Sequence, residues 1–518
     1  MKRICFLLAL LAFVPAAMGQ NYEQTTDEEC TSIVVGRLAS TDGSVMTSHT
    51  CDGVSHTWVT VEPAARHKPG DRFLVYKGLR KTSFPGDTTD VRLVGSIPEA
   101  PSTFAYLNTG YPSLNEKQLA IGETTFTGPD TLINNDAMFL IEELARLALM
   151  RCDNARDAIR LMGATAEQYG YGDGGECLTV ADKNEVWFFE ICGVGKDRTG
   201  AVWAAQRVPD DHVSVSANIP RIGRIDRANK DYFMCSDNVE SVAREFGLWD
   251  GEGDLIFWKA YNVPRANGHN FKEREWFILN ALAPSLGLSI DADELPFSVK
   301  PDAQVDVRKV MEILRSTYEG TDLDMCKNWL LETPATSKKP ASVNVAPGAN
   351  PWLTTDTRNT LNTIAPGTID FKRTVAVAWC AYSTVLQLRN WLPDAVGGIC
   401  WLAADNPGES PRIPIFAGTT RLPAAFDFCG HKKYRADSFL WTFRRANRLA
   451  TVAWQTDKQI VNENILKIEN LAFEGLKELE KTPDAAHLNA YTEKIFNEAA
   501  AAWQELEAEL WHRHGRGF

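Results

Sequence analysis

The chain has 518 residues, 44% hydrophobic and 23% charged. This is ordinary globular usage, which excludes a mainly disordered, collagen-like or coiled-coil protein, and at about 150 residues per domain it allows a few domains or one large one with insertions. Asp and Glu number 67 against 54 Lys and Arg, a formal charge of −13; with no basic patch in the sequence, nucleic-acid phosphates and anionic lipid are poor partners. Eleven cysteines are too few for a disulfide scaffold, so a packed core must carry stability.

Lys2 and Arg3 precede an apolar run, Ile4 to Val14, of 11 residues, too short to span a bilayer as a helix. Ala17-Met18-Gly19 puts small residues at the two positions a signal peptidase reads. Residues 1–19 therefore read as a secretory signal peptide cleaved after Gly19, which makes the protein exported, periplasmic or secreted. No later stretch approaches the ~18 unbroken apolar residues of a membrane helix, so no stable membrane insertion is expected. Gln20 to Glu29 is polar and acidic with no apolar periodicity, and reads as a solvated spacer. Cys30 follows at once and opens a strand-like run, Cys30-Thr31-Ser32-Ile33-Val34-Val35-Gly36.

Further along, Ile33 to Leu38 and Val45 to Ser48 predict two strands joined through Asp42-Gly43, a strong hairpin signal. Trp58 to Glu62, Phe73 to Tyr76 and Leu119 to Glu123 add strands. Apolar spacing predicts a helix over Ala137 to Cys152 and a second over Asn154 to Tyr169, capped by Asp153. Cys177 to Ala181 and Glu185 to Ile191 flank Asp182-Lys183-Asn184 as a hairpin, followed by strands over Ala201 to Arg207 and His212 to Ala217. Residues from about 228 to 350 mix helix and loop and read as an insertion or lid, with a long surface loop over Thr333 to Pro351. Strands resume over Arg373 to Trp379, Gly398 to Ala403 and Ile413 to Ala417, and the pattern is helical from about Trp454. This order predicts an α+β fold of sheets covered by helices, not a doubly wound parallel sheet.

Most motif searches fail: the sequence has no His-Glu-x-x-His, Gly-x-Ser-x-Gly, Walker loop or Cys-x-x-Cys. His512 and His514 form a weak metal pair that reads as a solvated tail. Gly170, Gly172, Gly174 and Gly175 lack the strand-then-helix context of a dinucleotide site and read as a structural turn. Cys30 is different. With the spacer removed it carries both a thiol and a free α-amine, whose ordinary pKa values are about 8.5 and about 7.7–8.0. The neutral amine can then take the thiol proton, so one residue supplies nucleophile and base. Position alone leaves a second reading open, a buried structural or disulfide cysteine.

The run from Cys30 to Gly36, then Ser40-Thr41-Asp42-Gly43-Ser44 and Asp52-Gly53, resembles the start of the cysteine dipeptidases of the N-terminal nucleophile hydrolase superfamily, a group that includes dipeptidase A and the secernins. Penicillin V acylase and bile salt hydrolase are more distant relatives. Asn115 to Glu123 resembles the family's Asn-Glu block, and Tyr382 to Arg389 its late block, so the likeness covers most of residues 30–450. The resemblance implies a four-layer αββα sandwich; with the chain's own pattern this gives a catalytic domain over residues 30–455, interrupted by the insertion at about 228–350, and a helical extension over 456–518. It also implies self-cleavage that removes residues 20–29, and amide hydrolysis through a thioester on Cys30 with no metal or organic cofactor.

Carried over by motif, Asp52 holds the α-amine of Cys30; its alternative is a turn aspartate before Gly53. Asn218, in Val215-Ser216-Ala217-Asn218-Ile219-Pro220, donates to the oxyanion; its alternative is a strand-end turn residue. Thr125 falls where the acylases place a second oxyanion contributor, acting through its backbone N–H. Arg373 stands for a later family arginine, an exposed strand arginine being the other reading. The chain departs from the family at His49, three residues before Asp52, where the family often has arginine. Histidine is shorter and titrates near neutrality, so nucleophile positioning or pH optimum is expected to differ. Cys51 beside the site reads as inert. The resulting expectation is an exported dipeptidase acting on dipeptides or short peptides. The alternatives are an N-acyl amidohydrolase or a catalytically dead binding protein, for which 15 Trp and the altered His49 leave room. Nine cysteines remain beside Cys5 and Cys30, so a monomer leaves at least one unpaired; assembly into a homo-oligomer stays open.

Overall fold

A computed structural model describes residues 29–263 and 269–516. The segment read as a signal peptide, residues 1–19, and all of the expected spacer but Glu29 lie outside these residues. Two antiparallel sheets dominate. The first has six strands in the spatial order Val213–Ser216, Ser32–Val35, Val45–Asp52, Cys380–Leu388, Gly398–Ala404 and Ile413–Phe416. The second has eight, in the order Phe233–Cys235, Val202–Arg207, Val186–Cys192, Glu176–Ala181, Ala120–Thr125, Leu114–Asn115, Tyr106–Asn108 and Thr60–Glu62.

The sheets stack through the strands Val45–Asp52 and Ala120–Thr125. Both strands are almost wholly buried, yet they carry Thr47, Ser48, Thr50 and Thr124. Buried hydroxyls need partners, and Thr47 and Thr124 find them across the stack. Thr47 Oγ1 meets Thr179 Oγ1 at 2.7 Å and Thr124 Oγ1 meets Ser216 Oγ at 2.5 Å. Gly122 allows the close approach, since a Cβ there would overlap the Ser48 carbonyl oxygen. On the outer faces, the helices Ile141–Arg151 and Ala155–Tyr169 pack against the eight-stranded sheet, and Phe439–Ala450 and Ala485–His514 against the strands Gly398–Ala404 and Ile413–Phe416. Ile465, Leu488 and Trp503 of the C-terminal helices join the one large hydrophobic core. No helix among the described residues is long and apolar enough to cross a membrane.

The structure departs from the predicted elements in several places. Arg373 to Trp379 is not a strand but an irregular, largely buried segment leading into Cys380–Leu388; its apolar run is that of buried backbone and carries no ladder. The helix predicted from Ala137 starts at Ile141. Asn154, not Asp153, caps the next helix, its side chain accepting from the Asp157 amide at 2.9 Å. The expected loop over Thr333 to Pro351 contains part of an exposed hairpin, Leu330–Thr333 with Ser342–Val345. His514 is not a solvated tail residue, because its Nε2 lies 2.5 Å from Asp457. Within the region expected to be an insertion or lid, the helix His269–Leu282 packs on the edge strand Val213–Ser216.

Behind the strand Gly398–Ala404, Asp405 is fully buried and paired with Arg444 at 2.7 Å and Arg448 at 3.0 Å. Burial works to raise its carboxyl, but the two guanidinium charges and Asn447 outweigh that and hold it below the usual carboxylate range. A carboxyl depressed on folding contributes stability above its unfolded pKa and loses that contribution as pH falls through its folded value. Asp405→Asn is therefore expected to cost about 3–5 kcal/mol in urea unfolding at pH 7, the usual penalty for leaving buried charges uncompensated. The gap between variant and wild type should close only as the pH drops below ~3.9.

Candidate active site

The short ladder between Ser32–Val35 and Val45–Asp52 is completed by side chains. Ser48 Oγ accepts from the Ile33 amide at 2.7 Å, and Thr50 Oγ1 accepts from the Thr31 amide at 2.9 Å. These bonds fix the backbone just after Cys30, whose side chain is only 1% exposed. Alternation along Val45–Asp52 brings His49 to the second sheet, where its Nε2 lies 3.2 Å from Glu123 Oε2. The rings of Tyr111 and Tyr382 stand edge-on to the imidazole at 5.4 and 5.7 Å. Cys30, His49 and Glu123 each offer one donor atom within 4.8 Å of the others. Thiolate, imidazole and carboxylate together are a set that a zinc-type cation accepts, so these are the described residues that could hold a metal. The same three groups also read as a nucleophile, an imidazole and its carboxylate partner.

Two arginines grip the Glu29–Cys30 junction. Arg373, 3% exposed, gives Nη2 to Asp52 Oδ2 at 2.6 Å and to the Glu29 carbonyl oxygen at 2.8 Å, and Nε to the Glu29 carboxylate. Its Nη1 donates to the Thr374 carbonyl. Asp52 also accepts from Thr50 Oγ1 at 3.0 Å. Arg274, from the helix His269–Leu282, gives Nη1 to the Cys30 carbonyl at 2.6 Å and to Thr31 Oγ1 at 2.9 Å. Its Nη2 reaches the Ala217 carbonyl at 3.1 Å and Asn218 Oδ1 at 2.8 Å. Asn218 adopts φ 65°, a left-handed conformation that asparagine tolerates better than most residues. Its side-chain amide also donates to the Thr125 carbonyl at 2.5 Å. Thr125 Oγ1 lies 3.0 Å from both Glu123 and Glu176.

The six residues picked from the sequence thus form one connected network. Arg373 is neither exposed nor on a strand, and Thr125 is engaged through its carbonyl. Cys51 is buried, and burial with Glu123 nearby pushes its thiol up. All ten described cysteines are unpaired.

Electrostatics follow from burial. Burial pushes the Cys30 thiol well above its ordinary value, and the charges of Glu123, Cys51 and Asp52 add to this, while the Asp52 amide opposes it. Burial also works to raise Glu123, but the hydrogen bond and charge of His49 prevail and leave it lowered. Arg274 is pushed down to about 10 by burial and by the Arg373 charge.

Sequence reasoning missed Arg274 and gave Glu123 no role. Glu123 ends the Asn-Glu block and was visible there. Asn115, at the head of that block, turns out to lock a turn: its Oδ1 accepts from the Lys117 and Leu119 amides and its Nδ2 donates to the Leu149 and Cys152 carbonyls. Arg274 sits in Lys272-Glu273-Arg274-Glu275, which reads as a solvated face, yet Glu273, Arg274 and Glu275 are all buried.

With this geometry in hand, comparison with known proteins is specific. A sequence profile of peptidase family C69 matches residues 29–467. A probable dipeptidase of Latilactobacillus sakei is 27% identical over 402 residues, covering 75% of this chain and 74% of its own. A probable dipeptidase of Salmonella dublin is 26% identical over 399 residues, 75% and 81% of the two chains. Dipeptidase A of Lactobacillus helveticus is 22% identical over 502 residues, 93% and 94%. The site and its setting are those of an amide-bond hydrolase. The chain belongs to peptidase family C69.

Arg274→Gln removes the only described side-chain donor to the Cys30 carbonyl and leaves buried acceptors unmatched. We expect kcat/KM on a peptide substrate to fall by about a hundredfold or more, with a loss of about 2–3 kcal/mol or more in unfolding free energy. Steady-state kinetics and chemical denaturation of the same preparation check both.

Proposed function

We propose that this protein is an exported cysteine dipeptidase that frees its own nucleophile by cutting between Glu29 and Cys30. The observation that carries the reading is the grip on that one peptide unit: Arg373 on the carbonyl before it and Arg274 on the carbonyl after it. The dipeptidase names of the relatives support the substrate class. Two stacked sheets with helices outside them support the four-layer αββα arrangement of N-terminal nucleophile hydrolases. The basic, apolar and small-residue order of residues 1–19 supports export.

In the intact chain Cys30 is buried and its thiol is held neutral, so it is dormant toward free peptides. Self-cleavage leaves an α-amine on the same residue. That amine, hydrogen-bonded by Asp52, is the base: it takes the thiol proton, and the ammonium it becomes stabilises the neighbouring thiolate. Sulfur then attacks the substrate amide carbon. Asn218, fixed by Arg274 at its oxygen and by Thr125 at its nitrogen, donates to the developing oxyanion, where one such donor is typically worth about 3–4 kcal/mol. The Cys30 ammonium protonates the leaving amine, and water clears the thioester. His49, held by Glu123, lines the nucleophile's other side in place of the family's arginine.

Purified secreted protein should begin at Cys30 by intact mass and hydrolyse mixed dipeptides in the presence of a chelator. Cys30→Ala should keep residue 29 joined and show no turnover, while Cys30→Ser should mature slowly and turn over far less. A faster rate on an acyl-glycine than on any dipeptide would favour the acylase reading. An active form that still carries Glu29 would overturn the proposal.

A further inference from the structure

We propose that Arg373 makes the site selective for substrates whose acyl residue carries a side-chain carboxylate, glutamate foremost. The inference rests on the reading of Cys30 as a nucleophile freed by self-cleavage, and deepens it to a substrate class.

The chemistry of maturation supplies the link. In self-cleavage the Cys30 sulfur bonds to the Glu29 carbonyl carbon, the bond from that carbon to the Cys30 nitrogen breaks, and the thiol proton ends on that nitrogen. The result is a thioester joining the acyl group of Glu29 to Sγ, beside a free α-amine. A peptide with glutamate on its acyl side, attacked by the same sulfur, gives a glutamyl thioester once its leaving amine has taken a proton; it differs from the maturation thioester only beyond the α-nitrogen, where residue 29 is joined to residue 28 and a dipeptide has a free amine. In both routes water then adds to the carbon, the C–S bond breaks and the proton returns to sulfur. The two thioesters share the glutamyl side chain, carbonyl and C–S bond, so contacts made to the side chain of Glu29 are contacts available to a substrate glutamate.

Arg373 makes those contacts. Its Nε donates to the Glu29 carboxylate and its Nη2 to the Glu29 carbonyl at 2.8 Å, while the remaining bonds, to Asp52 and the Thr374 carbonyl, tie the guanidinium to the protein. When residue 29 departs, the two anchoring bonds stay and the two to Glu29 are lost. Arginine does not shed its charge to compensate, and the Asp52 and Glu29 carboxylates prevail over burial to keep it protonated in the intact chain. A buried cation pre-oriented by Asp52 is thereby left with donors that match one carboxylate and one carbonyl. An acyl residue with a neutral side chain satisfies only half of that set. Glutamine is the sharpest contrast to glutamate, because it keeps the shape and an acceptor oxygen for Nε but brings no charge to offset the guanidinium.

The test uses matured protein, verified by mass to start at Cys30, with glutamyl-alanine, glutaminyl-alanine and alanyl-alanine as substrates. Wild type is expected to favour the glutamyl over the glutaminyl peptide by about tenfold or more in kcat/KM, mostly through KM. Arg373→Gln should shrink that ratio to within about twofold. Its effect on alanyl-alanine reports the separate loss of Asp52 positioning, which a merely structural role would impose equally on all three peptides. Equal rates for the glutamyl and glutaminyl peptides in wild type, or an undiminished ratio in Arg373→Gln, overturn the proposal. Where Arg373→Gln fails to mature, Arg373→Lys and the wild-type pair decide it. Failure of the underlying reading looks different: no dipeptide is cleaved, or the active protein retains Glu29.

Discussion

One guanidinium holds this site together. Arg274 reaches from the helix His269–Leu282 to the main chain of Cys30, the hydroxyl of Thr31, the main chain of Ala217 and the side chain of Asn218. It thereby welds the start of one strand to the end of its neighbour, Val213–Ser216, and sets the spacing between the proposed nucleophile, Cys30, and the amide proposed to receive the oxyanion. The arrangement suits arginine and no other residue. A planar fork with five donors can serve four acceptors from one buried position, whereas lysine offers a single point of attachment.

Around it the polar groups are buried in pairs and chains: Arg373 with Asp52 and Glu29, His49 with Glu123, Thr125 between Glu123 and Glu176. Charges taken out of water this way seldom add net stability. Their value is geometric, because each partner has one low-energy position once its neighbour is placed. The stability that offsets them comes from the continuous apolar core, which runs from the sheets through the C-terminal helices. Rigid placement of the reacting groups therefore depends on a scaffold that extends far from them.

Much of this could be read from the chain beforehand, for physical reasons. Hairpins with Asp-Gly or Asp-Lys-Asn turns and strands of β-branched residues announce themselves locally, and Cys30 stood out because a polar leader ends where a strand begins. The segment 373–379 misled because buried irregular backbone has the same apolar composition as a strand; what distinguishes it is the absence of a ladder partner, a non-local fact. Arg274 was invisible for the same reason. Three consecutive charged residues look solvated until the fold supplies Arg221, Lys372 and the Cys30 backbone as partners. The α+β class was legible from element order, while the way the insertion feeds the site was not.

None of the ten described cysteines is joined in a disulfide, and nine of them are buried. An enzyme whose sulfur must stay unoxidised can be bathed in thiol reductant only if its architecture owes nothing to S–S crosslinks. Among the described residues this architecture owes nothing to them. Conditions that protect the proposed nucleophile leave the described frame untouched, and that part can form without any oxidative folding step.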